Sequence, residues 1–509
     1  MKTAAVNSIN PLRCAYPWVP DQGDGFYRNP ILCADYSDPD VVRHGEDYWM
    51  TSSSFNCTPG LPILHSTDLV NWTLEKHALK NVPGERYSEI QPGCGVWAPA
   101  IRYHEARFWI FFPTPDEGIY VTTASDPRGQ WSEPHLLHAG RGLIDPCPLW
   151  DDDGKAYLVH AYAGSRAGVK HRLRVCPMSP DGTRLLGKGQ IVFHEPERHH
   201  TIEGPKFLKR DGWYYILAPA GGVQEGWQTA LRSRSVLGPY EDKIVLHQGR
   251  TQVNGPHQGA LVDTAAGEWW FLHFQDAGVY GRVVHLQPIE WREGWPMMGG
   301  LNGSVTPGEP VLHHSKPRLP AGPLAVPSTT DEFGSSSLGL QWQWHANHRD
   351  EWYSLMARAG WLRLFAVAHR QLSSAPNLLM QKLPAREFTA ETSLDFAGAE
   401  VGAEAGLVVM GRNHAALGLR RTDVGVQIIS RNGKEQVVSE SSFATLKIRV
   451  WVGDGGVCAF GFMATDGHWR VLPAKFVAQA GVWIGAKLGF YVLGEGYADF
   501  DYLRFSSPA

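Results

Sequence analysis

One polar-to-apolar pattern returns five times in the first three hundred residues. A polar or aromatic residue stands beside Pro or Gly, and a short apolar run follows. Then come a tight polar turn and a second run heavy in Tyr, Trp or Phe. The copies are "SDPDVVRHGEDYWMTSSS" from Ser37, "GVWAPAIRYHEARFWIFFPT" from Gly95, "GLIDPCPLWDDDGKAYLVHAY" from Gly142, "HTIEGPKFLKRDGWYYILAPAGG" from His200 and "GPHQGALVDTAAGEWWFLHFQ" from Gly255. Two β-prone runs joined by a short polar turn are a hairpin. A third strand follows most of them, as in "LPILHSTDLVNWTL". The leading residues Asp38, Trp97, Asp145, Glu203 and His257 lie 59, 48, 58 and 54 residues apart. Five units of about four strands, each about 50 residues long, predict a five-bladed β-propeller over residues 1–308. The first strand of each propeller blade lines the central channel. Residues placed just ahead of those strands therefore converge on one mouth of the channel.

The pattern then changes. Residues 309–330 are Pro-rich, lack periodicity and read as a linker. Residues 331–509 hold alternating runs such as "GWLRLFAVAH", "FTAETSLDF", "EAGLVVMG" and "TLKIRVWV". Strict alternation marks half-buried strands. Roughly ten of them without a helical period predict an antiparallel β-sandwich. The fold class is all-β, a propeller followed by a sandwich.

Composition agrees and narrows the partners. The 509 residues include 20 Trp, 55 Gly and 35 Pro, with a net charge of -4. Aromatics with many turn formers suit short strands. The charge gives no reason to expect nucleic acid or an anionic membrane surface. No apolar run approaches the 18 residues of a membrane span. The seven Cys are irregularly spaced and form no CxxC pair. That argues against zinc and for reduced thiols. No apolar segment follows Lys2, so the expected location is the cytoplasm, although a trimmed secreted or periplasmic form would read the same.

Three of the five leading residues are carboxylic acids: Asp38, Asp145 and Glu203. Three acids at one channel mouth repel one another and must separate their pKa values. Separated carboxyls are what glycoside hydrolysis needs: one ionised to activate water, one protonated to serve the leaving oxygen. Trp97 offers a face for a sugar ring, and His257 a neutral ligand or hydrogen-bond donor. Phe55 and Trp227 are further candidates for the sugar site. Asp35 and Asp40 read as turn or surface acids, and His199 and His200 as an exposed loop pair. Trp72 reads as packing between blades, and "DDDG" at 151–154 as a solvated hairpin turn.

These motifs together resemble glycoside hydrolase family 43 over residues 29 to about 300. Asp38 in "YSDPD" matches the family's base, Asp145 in "LIDPCP" its pKa-modulating acid, and Glu203 in "TIEGP" its proton donor. Trp97, Ala98 and Pro99 match its "WAP" motif, and Arg282 in "VYGRVVH" its substrate-binding arginine. The family's His-Gly pair reads "PHQGA" here, with Gln258 between His257 and Gly259. The resemblance implies an inverting, exo-acting enzyme on β-D-xylosides or α-L-arabinofuranosides, with xylo- or arabino-oligosaccharides as partners. It implies no cofactor for the chemistry. A Ca²⁺ at His257, or in the sandwich at Asp331 and Asp501, is an expectation. In the sandwich, a loop closing one side of the channel mouth would admit only a chain end. A non-catalytic carbohydrate-binding propeller is the alternative, and it predicts loss of one of the three acids. A retaining fructosidase would carry an Asn-Asp-Pro-Asn-Gly type motif, which is absent.

Overall fold

A computed structural model of the chain describes residues 16–301, 307–369, 371–441 and 443–508. Cys14 and the rest of the first fifteen residues lie outside them. Five four-stranded antiparallel sheets form in sequence order. They begin with Asp40–His44, Ala100–His104, Leu143–Trp150, Lys206–Arg210 and His257–Asp263. In each sheet the strands pair in chain order from innermost to outermost, as meanders joined by short turns must.

The blades hold together by apolar packing at every seam. Trp49, Ile63 and Leu79 of blade one meet Ile101, Phe108 and Ile110 of blade two. Phe111 and Val121 meet Leu143 and Leu158 at the next seam. Cys147, Val159 and Val175 meet Phe207, Ile216 and Leu231, and Leu217 and Val245 meet Phe271 and Trp295. Val41 and Met50 close the ring against Ala260, Val262 and Leu272. Trp72 is fully buried in this last cluster, as its sequence context predicts. Alternating inward residues on β-rich strands thus bury both faces of each blade.

The segment after the propeller is not wholly structureless. His313–Ser315 pairs with Phe26–Arg28 at the start of the described chain. Beyond it, two antiparallel sheets face each other. One runs from Gln343–Trp344 through Lys487–Leu493 to Lys434–Ser441. The other is built around Tyr497–Ser506, Phe388–Asp395 and Thr445–Gly453. Leu407, Leu417 and Phe490 of the first sheet pack on Leu394, Ile448 and Phe500 of the second. Main-chain bonds tie this sandwich to the propeller: Trp344 N donates to Thr58 O at 2.6 Å, Asn347 N to Tyr87 O at 2.7 Å, and Ala486 N to Val279 O at 2.8 Å.

Candidate active site

The three acids meet where the sequence pattern places them, and their backbones explain how. Asp38 and Asp145 have φ of 55° and 56°, and Gly204, next to Glu203, has 59°. A left-handed residue turns the chain off the line of the strand. Asp tolerates that region better than most side chains, at about 1–3 kcal/mol. Asp145 lies where the register of Leu143–Trp150 shifts between Ile144 and Cys147. Gln258 is accommodated in the same way: the register of blade five shifts between His257 and Gly259. The extra residue of "PHQGA" is therefore a β-bulge, and His257 keeps its place at the mouth. A Cβ on Gly259 would come 1.7 Å from Leu272 O, so only glycine fits after the bulge.

Asp38 is buried among donors. Ser37 Oγ and Ser53 Oγ donate to Asp38 Oδ2 at 2.8 and 2.5 Å. Arg282 Nη1 donates to Asp38 Oδ1 at 3.2 Å and to Ser37 Oγ at 2.8 Å. Two hydroxyls and a guanidinium suit an anionic carboxylate and fix its orientation. Asp145 lives differently. Gly204 N donates to its Oδ2 at 2.7 Å. Burial first, then the neighbouring Glu203 charge, and more weakly Asp38, push its pKa up to about 8. Burial and the adjacent carboxylate thus favour the protonated form of Asp145. Glu203 is the more open partner, its side chain 27% exposed, and His257 Nε2 lies 3.2 Å from its Oε1.

These groups line a cavity of about 470 Å³ with Phe55, Trp97, Tyr162, Lys170 and Trp483. Phe55 and Trp97 face it with ring centroids 6.4 Å apart. Trp227 does not line it. Trp227 stands on the third strand of blade four, wedged between His200 and His247, and its Nε1 donates to His199 Nδ1 at 3.3 Å. His199 is buried rather than an exposed loop residue, held 2.9 Å from Asp242 Oδ2, whereas His200 is exposed.

Asp35 and Asp40 are buried too, against the surface reading. Asp40 Oδ2 accepts from Ile101 N and from Arg102 Nη1, both at 2.7 Å. Lys206 Nζ lies 3.7 Å from Asp40 Oδ1. Arg102 Nη2 reaches Cys147 Sγ at 2.8 Å. One blade's charge is buried because other blades supply its partners.

Sequence reasoning missed Trp483. It comes from the sandwich, 47% exposed, with φ of 66°. Its ring stands 6.1 Å from Trp97 and 5.7 Å from the Arg282 guanidinium. The "GVWIG" context, a large aromatic between glycines, is the available signal. The closing loop expected from the sandwich is this one.

The cation expectations fare otherwise. Among the described residues no three His, Cys, Asp or Glu side chains gather to hold an ion. His257 offers one imidazole nitrogen beside one carboxylate, whereas Ca²⁺ takes six to eight oxygens. Its Nδ1 has no protein partner. Asp331 accepts from Phe333 N at 2.9 Å through Oδ1 and from Trp342 Nε1 at 2.8 Å through Oδ2. Protein N–H groups thus reach both of its oxygens.

The chain is similar to known proteins along nearly its whole length. The model of the glycosyl hydrolases family 43 matches residues 27–296. That of the beta xylosidase C-terminal concanavalin A-like domain matches residues 330–506. A putative beta-xylosidase of Xylanibacter ruminicola is 39% identical, over 92% of this chain and 86% of that protein. A beta-xylosidase of Formosa agariphila is 31% identical, over 95% and 91%. A non-reducing end alpha-L-arabinofuranosidase of Bacteroides ovatus is 30% identical, over 81% and 79%. Among solved structures, xylan beta-1,4-xylosidase from Bacillus halodurans is similar with a TM-score of 0.82 at 25% identity, over 94% of this chain and 100% of that one.

Proposed function

We propose that this chain, which belongs to glycoside hydrolase family 43, releases single xylose or arabinose units from the non-reducing ends of β-D-xylosides or α-L-arabinofuranosides with inversion. The observation that carries the reading is the division among the three acids. Asp38 accepts from Arg282 and two serines, while Asp145, its pKa raised by burial and by the Glu203 charge, lines the same cavity beside Glu203.

The roles follow from that division. Asp38 takes a proton from the water that attacks the anomeric carbon. Glu203, open to the cavity, gives the pair's proton to the departing oxygen. Asp145, deeper in the same cavity, stands beside Glu203 as the second member of the pair that carries the proton. His257 aligns Glu203, and Arg282 holds Asp38 while facing the sugar. Trp97 and Phe55 offer apolar faces to the ring. Trp483 narrows the cavity from the sandwich side, which favours a chain end over a chain interior. The names of relatives on both sugars support a pocket that takes either.

The test is kcat/KM on p-nitrophenyl β-D-xylopyranoside and p-nitrophenyl α-L-arabinofuranoside, for the wild type and Asp38→Asn. Release of either sugar, lost by 10³-fold or more in a folded Asp38→Asn, supports the reading. A wild type that releases neither sugar refutes the substrate assignment. Proton NMR of the first-formed anomer decides inversion.

A further inference from the structure

We infer that Asp35 is a positioning residue that fastens the sandwich loop bearing Trp483 to the blade-five turn bearing Arg282. It thereby sets one wall of the cavity. The inference rests on the glycosidase reading above.

The Asp35 carboxylate is buried, and each oxygen serves a different domain. Arg282 N donates to Oδ1 at 2.9 Å, and Gly485 N donates to Oδ2 at 2.9 Å. Close backbone contact surrounds it. A Cβ on Gly281, which has φ of 77°, would lie 2.4 Å from Asp35 Cγ. A Cβ on Gly485 would lie 2.6 Å from Gly281 N. Two glycines from different domains thus permit the approach that the carboxylate bridges. Ala486 N donating to Val279 O extends the seam.

Both ends of this bridge lead into the site. Arg282, whose amide Asp35 holds, reaches Asp38 through its guanidinium. Trp483 stands two residues before Gly485 and lines the cavity beside Trp97 and Arg282. Only a carboxylate meets the requirement. It accepts at both oxygens, whereas an amide of the same shape turns an N–H against one of the two donors. Asp35 thus acts on substrate through Arg282 and Trp483 and touches the reacting atoms through neither.

Asp35→Asn tests this. We expect KM for xylotriose to rise about tenfold, with a much smaller fall in kcat, as one charge-assisted bond becomes a mismatch. Amide exchange over residues 481–486 should accelerate locally. Gly485→Ala, which leaves Asp35 in place but forces the same loop away, should reproduce both effects and decides the matter if Asp35→Asn does not fold. In a Trp483→Ala background the KM effect of Asp35→Asn should largely vanish. An unchanged KM, full additivity with Trp483→Ala, or no local change in exchange overturns the inference. If the wild type cleaves no glycoside, the functional reading falls, and amide exchange alone still judges the bridge.

Discussion

Replacing Asp145 with Asn should inactivate this protein and make it more stable at alkaline pH. Asp145 is fully buried next to Glu203 and titrates near 8 in the folded chain, against 3.8 for an ordinary aspartate. The folded state therefore binds the proton more tightly than the unfolded one. Stability is undiminished below the unfolded value, falls as pH rises from about 4, and has lost the full amount above about 8. Set against an ordinary aspartate, that corresponds to roughly 5 kcal/mol at most. Movement of Glu203 and entry of water at the cavity mouth reduce this, so we expect ~2–3 kcal/mol. For a chain of 509 residues that is about 2–3 °C in Tm. The amide keeps an oxygen for Gly204 N and loses only the charge. The assay is thermal unfolding of wild type and variant from pH 4 to pH 9. The variant should gain on the wild type as pH rises, with the two converging near pH 4. Its kcat should fall by 10² or more, since Glu203 loses its acidic neighbour. A variant no more stable than the wild type at pH 9, or a gap that widens toward acid, would refute the burial and like-charge account of Asp145.

Two further changes probe the shell around the acids. Arg282→Met removes the guanidinium that orients Asp38, and kcat should drop about 10–100-fold; steady-state kinetics within twofold of wild type would count against that role. Asp40→Ala takes the carboxylate from the buried Lys206 and the partly buried Arg102, which should cost about 3–5 kcal/mol. Thermal unfolding should register it as a Tm lower by about 3–5 °C, and an unchanged Tm would mean that water already screens this layer.

How far the sequence speaks depends on how local the information is. The propeller was readable because a recurrent offset is local: Asp38, Asp145 and Glu203 each stand ahead of an innermost strand, and the strands alternate. The bulge at Gln258 was visible as a departure from the His-Gly pair, and its accommodation only in the paired register. Asp40 was misread because alternation tells which face a residue takes, not what stands opposite. Its cation partners Arg102 and Lys206 come from other blades. Asp35 was misread for the same reason, since Gly485 belongs to another domain. Trp227 obeys a local pattern that suits a sugar site, yet its strand is the third of its blade, where rings pack between strands. Trp483 depends on how a sandwich loop docks, and no periodicity carries that.

The same layout explains why the site can exist in one small volume. Three carboxyls at one mouth are tolerable only with cations close by and a ring that cannot open. Arg282 stands beside Asp38, and the buried Lys206 with the partly buried Arg102 outnumbers the single carboxylate of Asp40. The Lys206 charge pulls the Asp145 pKa down, against burial and Glu203. The floor of the channel therefore limits how strongly the pair holds its proton. The left-handed backbones of Asp38 and Asp145 add strain at the same place. That unfavourable energy is confined to the mouth, while favourable burial is spread over five apolar seams and the sandwich. Because the acids come from three different blades, and Trp483 from another domain, their relative positions are only as fixed as those seams. Ring closure between blades five and one, with the Asp35 bridge beside it, is thus part of the catalytic geometry as much as of the fold.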